Sequence, residues 1–286
     1  MKPLILSRVR SWVKRRVRGG LRLATTRWGR PFSSSDLLRE LRALGVAPGD
    51  TLLVHSSFDC FGRFTGKPSD VLAVLQAAIG PSGTLILPTM PFSGMAVEYV
   101  REPRVFDVKR TQSAMGLLTE LFRRTPGVIR TVHPTHSAAI WGAGAGEMAA
   151  GHAGAKTPCG LGSPYIRLLD RNGKILFLGC GIEVMTFFHV VEELLEPRMP
   201  FSPFTKQTYV LESRDAEGRV WVTETRLFEP FYARRRNYTR LLPVLRQRAA
   251  WREGRVGALK MRLVAARDVL SACEALADKG IYCYDS

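Results

Sequence analysis

The chain has 286 residues, 45% of them hydrophobic, and 42 Lys and Arg against 25 Asp and Glu give it a formal net charge of +17. That length holds one large folded unit or two small ones, and the composition is that of a folded protein with a sizeable core, not of a low-complexity chain. Five scattered cysteines without a CxxC pair exclude a disulfide framework and a zinc knuckle and fit a reducing compartment.

The charge is concentrated in two stretches. Residues 1–31 hold ten Lys and Arg and no acid; residues 234–262 hold ten against one Glu, which leaves the rest of the chain nearly neutral. In the first stretch Ile5, Val9, Trp12, Val13 and Val17 recur at helical spacing between the cations, the pattern of a basic helix lying on an anionic membrane surface. A basic tail, or a helix docked on the protein's own body, fits the same residues. No apolar run is long enough for a signal peptide or a membrane span. The expectation is a cytoplasmic protein with the inner membrane face as a peripheral contact. Charge alone would also suit nucleic acid, but no finger, RNP or helix-turn-helix pattern accompanies it, so no specific nucleic-acid partner is expected.

From Ser33 the chain alternates. Ser33 to Ser35 can cap a helix over DLLRELRALGV; Thr51 to Val54 reads as a buried strand delivering His55, Ser56 and Ser57 at its exit; Ser69 can cap DVLAVLQAAIG; TLILPT is a second strand. This order predicts an α/β fold with a central, mostly parallel sheet flanked by helices. Residues 90–110 form a long irregular segment rich in Pro, Gly, Phe and Arg, of the kind that usually serves a function. The helix AMGLLTELFRR, the stretch PGVIRTVHPTHS, the strand AAIWG and the loop HAGAKTPCGLGSPY follow. Then comes KILFLGCGIEVMTFFHVVEE, read as a buried strand, a tight turn and an apolar helix. Beyond Pro197, TYVLES and VWVTETRL read as an antiparallel pair, 234–252 as a basic helical stretch, and MRLVAARDVLSACEALADKG as a last amphipathic helix. The expected organisation is a basic extension over 1–31, a core over 32–200 and a smaller α+β part over 201–286 packed on it.

His189 stands three and four residues before Glu192 and Glu193 and three after Thr186, so these side chains can share a helix face. A histidine oriented by a carboxylate suits general-base catalysis; a hydrogen-bonded core histidine fits the same spacing. A metal site built from His133, His136 and His189 is disfavoured by Pro134 and by the lack of an HExxH pattern, and no metal is expected. Cys180 sits in GCG rather than in a GxSxG elbow, which favours a structural thiol over a nucleophile.

The blocks VHSS (54–57), SAMG (113–116), IRTVHPTHSAAIWG (129–142), TPCGLGSPY (157–165) and GKILFLG with TFFHVVEE (173–179 and 186–193) occur in order. Together they resemble the aminoglycoside 3-N-acetyltransferase family, the antibiotic N-acetyltransferases distinct from the GNAT enzymes. The resemblance covers roughly residues 36–200. It implies direct transfer of an acetyl group from acetyl-CoA to an amine of an amino sugar. His189 would be the base, with Glu192 or Glu193 orienting it and Thr186 in support. His55, Ser56, Ser57, Ser113, Met115 and Gly116 would meet the CoA phosphates, and Gly160, Gly162 and Ser163 the pantetheine arm. His133, His152 and Asp107 would lie near the acceptor, with a structural hydrogen-bonding role for His133 favoured over catalysis. The segment 90–110 mixes acids with Arg101, Arg104, Lys109 and Arg110 and is no acidic trap for a polycationic drug. With the two basic stretches, this points to an anionic acceptor, a nucleotide- or lipid-linked amino sugar rather than an aminoglycoside. The alternative is a catalytically idle relative that binds membranes or polyanions. Oligomeric state is left open.

Overall fold

The structure, a computed structural model, describes residues 29–285. The basic extension expected over 1–31 therefore lies outside them but for its last three residues.

Two sheets organise the chain. The larger has seven strands in the order β4-β5-β2-β1-β6-β10-β9: β1 (Thr51–Ser56), β2 (Thr84–Pro88), β4 (Ile129–Arg130), β5 (Ala138–Gly142), β6 (Lys174–Leu178), β9 (Arg252–Val256) and β10 (Leu259–Ala265). The smaller has the order β3-β7-β8, with β3 (Val105–Asp107), β7 (Phe204–Arg214) and β8 (Val220–Phe228). The α/β expectation holds, with parallel pairing at the centre, where β1 lies between β2 and β6. The outer strands run antiparallel to their neighbours, so four of the six pairings are antiparallel and the sheet is mixed rather than mostly parallel.

Alternation along the central strands separates two cores, since successive side chains of a strand point to opposite faces. Leu53, Ile86, Ile175 and Phe177 belong to one cluster, with the helices Phe188–Leu195, Leu241–Gln247 and Ala266–Ala277. Leu52, Val54, Leu85, Leu87, Leu176 and Leu178 belong to the other, with the helices Ser34–Leu44 and Pro68–Ile79. Central strands buried on both faces read as continuous apolar runs, as KILFL and TLLV do.

Local signals acted largely as expected. Ser33 caps the first helix: its Oγ accepts the Asp36 N–H at 3.3 Å while its own N–H donates to the Asp36 carboxylate at 2.9 Å. The second helix starts at Pro68 rather than after Ser69, because proline already fits the first helical position and Asp70 accepts the Lys67 N–H at 2.7 Å.

Three segments differ from their sequence reading. MRLVA is not helical: Met261 to Ala265 pair with Leu178 to Lys174 in β10, and the last helix begins at Ala266. Within 234–252 the helix covers only Leu241–Gln247, followed by β9. The irregular segment 90–110 contains the short helix Ala96–Tyr99 and β3, which pairs with β7 and so ties this segment to the small sheet.

Half of the ten cations in the basic stretch 234–262 are ion-paired within the fold. Arg234, Arg236, Arg240, Arg246 and Arg262 form ion pairs with Glu98, Glu192, Asp285 and Glu253. No helix among the described residues is long and apolar enough to cross a membrane.

Candidate active site

The site forms where the helix Phe188–Leu195 follows the carboxyl end of β6, the end of a parallel sheet at which ligands bind in open α/β folds. His189 is near the start of that helix, and its Nδ1 lies 2.7 Å from Glu192 Oε2. The i, i+3 spacing brings the pair together, and between the two glutamates it is Glu192 that meets the imidazole.

Glu192 is fully buried. Arg236 Nε donates to Oε1 at 2.6 Å and its second nitrogen to Oε2 at 3.0 Å, while the Tyr284 hydroxyl donates to Oε1. Burial alone would raise the Glu192 pKa, but Arg236 and the His189 bond overcome it and hold the carboxyl at about 2. The ionised carboxylate accepts Nδ1–H and so fixes the tautomer. Nε2 has no partner among the described residues and carries the lone pair. Burial, and then the Arg236 charge, lower the His189 pKa against the opposing pull of Glu192. The imidazole is therefore neutral at neutral pH, the form a base requires.

Aromatic rings fix its orientation. Phe228, the last residue of β8, stacks on His189 with centroids 4.3 Å apart, and the Arg236 guanidinium lies 4.8 Å from the Phe228 centroid. His136 meets His189 edge-on at 5.9 Å, and Phe92 packs edge-on against His136 at 5.7 Å. The small sheet and the irregular segment thus both contribute walls.

Glu193 points elsewhere. It accepts the Thr157 hydroxyl at 2.5 Å, and its other oxygen is buried without a partner. Burial raises its pKa to about 7, against the bonds from Thr157 and the Cys159 backbone. A carboxyl raised on folding stabilises the fold fully below its unfolded pKa, and that contribution is lost as pH rises through the folded value. Glu193→Gln is accordingly expected to raise the melting temperature more at pH 8 than at pH 5. Equal shifts at the two pH values would contradict the buried, protonated state.

Several expected ligands are used by the fold itself. Thr186 lies ahead of the helix; its carbonyl accepts the His189 N–H at 3.0 Å and its N–H donates to His55 Nε2 at 3.3 Å. His55 is therefore buried and engaged, stacked on Phe177 at 5.4 Å, with burial lowering its pKa to about 3, so its ring is not a phosphate contact. Ser56 and Ser57 remain half-exposed at the strand exit.

His133 and His152 are both fully buried and stack at 4.4 Å, which takes them out of acceptor contact. His152 is bonded to Thr131 Oγ1 at 2.9 Å and donates to the Pro158 carbonyl at 3.0 Å. His133 Nδ1 accepts the His136 N–H at 3.0 Å and shapes the HPTH turn. Asp107 likewise closes a turn, accepting the N–H groups of Lys109 and Arg110 at 2.9 Å each.

Gly160 and Ser163 are buried, which closes them to pantetheine. A Cβ on Gly160 would lie 2.4 Å from Thr157 Oγ1, and the Ser163 hydroxyl donates to the Cys159 carbonyl at 2.7 Å. Gly162 (φ 92°) packs on Gly151, whose carbonyl oxygen a Cβ would approach to 2.8 Å. In the SAMG block the Ser113 hydroxyl accepts the Met115 N–H at 3.2 Å, and Gly116 (φ 113°) faces open space.

Burial pushes the Cys180 thiol up to about 12, which fits a structural thiol better than a nucleophile. Among the described residues no group of three or more His, Cys, Asp and Glu is gathered closely enough to hold a metal ion.

A model of the aminoglycoside 3-N-acetyltransferase family matches residues 53–277. The chain belongs to this family. Aminoglycoside N(3)-acetyltransferase VII of Streptomyces paromomycinus is 30% identical over 267 residues, spanning 84% of this chain and 89% of that one. Among solved structures, aminoglycoside acetyltransferase AAC(3)-Xa matches with a TM-score of 0.76 at 26% identity, over 92% of this chain and 98% of its own. AAC-VIa bound to sisomicin matches with a TM-score of 0.71 at 26% identity, over 87% and 99%. Membership in the aminoglycoside 3-N-acetyltransferase family makes the chain an acyltransferase, and it extends the likeness well past residue 200, into the part that supplies Arg236.

Proposed function

We propose that this chain acetylates an amine of an aminoglycoside-class amino sugar, taking the acetyl group directly from acetyl-CoA, with His189 as general base. The observation that carries this reading is the chain of contacts from His189 through Glu192 to Arg236 and Tyr284. The amine nitrogen attacks the thioester carbonyl and passes its proton to His189 Nε2 as the N–C bond forms; the C–S bond breaks, CoA leaves as the thiolate, and the imidazolium proton returns to that sulfur or to solvent. Glu192 stabilises the imidazolium, and Arg236 keeps Glu192 ionised while it does so. Open space beside Gly116 and the half-exposed Ser56 and Ser57 support these two loop ends as the place for CoA phosphates.

The acceptor is proposed against the direction of the formal charge. Five arginines of the stretch 234–262 are ion-paired, so that stretch is a weak reason to expect an anionic sugar conjugate. Release of free CoA thiol should be followed over a panel containing sisomicin, gentamicin and nucleotide-linked amino sugars. Turnover of the drugs is expected, and turnover confined to the nucleotide sugars would overturn the acceptor assignment. With His189 required neutral and its pKa lowered, kcat/KM should fall only on the acid side of the ordinary imidazole value of about 6.5. An acid limb above that value would argue against His189 as the titrating group.

A further inference from the structure

We propose that His136 supplies the oxyanion donor for the acetyl transfer, a role that rests on the reading of His189 as its base: the His136 Nε2–H meets the thioester oxygen while His189 takes the amine proton. His136 is buried beside His189, with ring centroids 5.9 Å apart and planes nearly perpendicular at 85°. Phe228 is a wall common to both, stacked on His189 and edge-on to His136 at 5.7 Å.

The bonds of the HPTH turn decide which nitrogen of His136 carries the proton. His133 Nδ1 has one lone pair in the ring plane, and it accepts the His136 N–H at 3.0 Å and the Thr135 N–H at 3.3 Å. Thr135 is fully buried, so its hydroxyl proton needs an acceptor. Among the described residues two are in reach, His136 Nδ1 at 2.9 Å and the already occupied His133 Nδ1 at 3.4 Å. The hydroxyl therefore donates to His136 Nδ1. Burial, and then the neighbouring His189, His152 and Arg236, lower the His136 pKa well below its ordinary value, so the ring is neutral and holds a single proton. That proton is on Nε2, which has no hydrogen-bond partner among the described residues. His189 has the opposite tautomer, with Nδ1–H on Glu192 and the lone pair on Nε2.

A donor ring beside an acceptor ring matches the two demands of acyl transfer. The attacking nitrogen must lose a proton, and the carbonyl oxygen, bonded to the same carbon, gains negative charge. A donor held in place and out of water stabilises that charge most strongly. The His136 backbone is fixed on both sides, its N–H on His133 Nδ1 and its carbonyl accepting the buried Tyr165 hydroxyl at 3.1 Å. Phe92 bounds the ring on a further side at 5.7 Å. A buried N–H without a partner lowers stability, and an apolar ring would fill the same space without that cost. The unpaired donor therefore points to a ligand oxygen.

In His136→Phe, kcat should fall about 10²- to 10³-fold, the usual effect of losing one oxyanion donor, with KM for acetyl-CoA and for sisomicin within a few-fold of the parent. Two amide variants guard against a change in folding. His136→Gln can place an N–H near the position of Nε2 and should recover much of kcat, whereas His136→Asn reaches only the position of Nδ1 and should not. In the parent, imidazole nitrogen NMR shifts, assigned by the signals that His136→Phe removes, should show Nε2–H for His136 and Nδ1–H for His189. An Nδ1–H tautomer at His136, or equal turnover by the two amide variants, would overturn the proposal. So would a raised KM for sisomicin with kcat kept, which would make His136 an acceptor contact. Turnover kept in His136→Phe but lost in His189→Ala would overturn this proposal alone; turnover kept in both would overturn the general-base reading with it.

Discussion

Replacing His189 by alanine is expected to lower kcat by about 10²- to 10⁴-fold, the usual contribution of a positioned general base, with the fold intact. The side chain is partly exposed, and its one polar contact among the described residues is with Glu192 at 2.7 Å. Glu192 keeps its bonds to Arg236 and Tyr284 when the imidazole is removed, so no buried charge is stranded. The two readouts are steady-state CoA release and thermal unfolding of the same preparation. Turnover within a few-fold of the parent would remove His189 from the mechanism. A large fall in melting temperature would instead make the histidine a structural residue, the reading its apolar helix also permits.

Arg236→Ala is expected to have the largest effect on stability, about 3–5 kcal/mol, because it leaves a buried carboxylate without its counter-charge. Both guanidinium contacts to Glu192 are lost, and so is the cation–π contact with Phe228. Activity should fall as well, since the Glu192 pKa would rise and the carboxylate would no longer hold Nδ1–H. Lysine should restore little, because a point charge cannot replace a two-pronged donor. The double variant Arg236→Ala/Glu192→Leu separates the two effects. It removes the stranded charge, so unfolding in urea should recover part of the lost stability while kcat stays low. If Arg236→Ala unfolds within about 1 kcal/mol of the parent, the charge is not carrying the network.

The sequence made half of this network legible. His189 and Glu192 are three apart on one helix, and helical periodicity alone brings them into reach; the choice between Glu192 and Glu193 needed only the direction in which each side chain leaves the helix. Arg236 and Tyr284 meet Glu192 across 44 and 92 residues, and no local spacing records such contacts. Arg236 was hidden in plain view, because a run of arginines reads as a solvated surface, whereas one of the three in ARRRN turns inward.

The buried histidines misled for a related reason. HPTH and GHAGAK are motif-like, and polar residues in such blocks suggest ligands, but the partners of His152 are Thr131 and the Pro158 carbonyl. Strand β10 was missed because MRLVA and ARDVL run together as one apolar pattern, and only pairing with β6 separates them. The cap at Ser33 and the central strands were read correctly, since caps and buried runs are decided by residues close in sequence.

The long separations within the network also set an order of events for a chain growing from its amino end. His189 and Glu192 are in place on their helix, with β1, β2 and β6 available to pack, well before residues 236 and 284 have been made. Until both have docked, a carboxylate destined for the interior has no cation to meet and is better left in water or protonated. The helix Phe188–Leu195 should therefore gain its final packing late, as one of the slow, long-range steps that contact order predicts. Hydrogen exchange during refolding would then show amides of β1 and β6 protected before those of Val190 to Glu193.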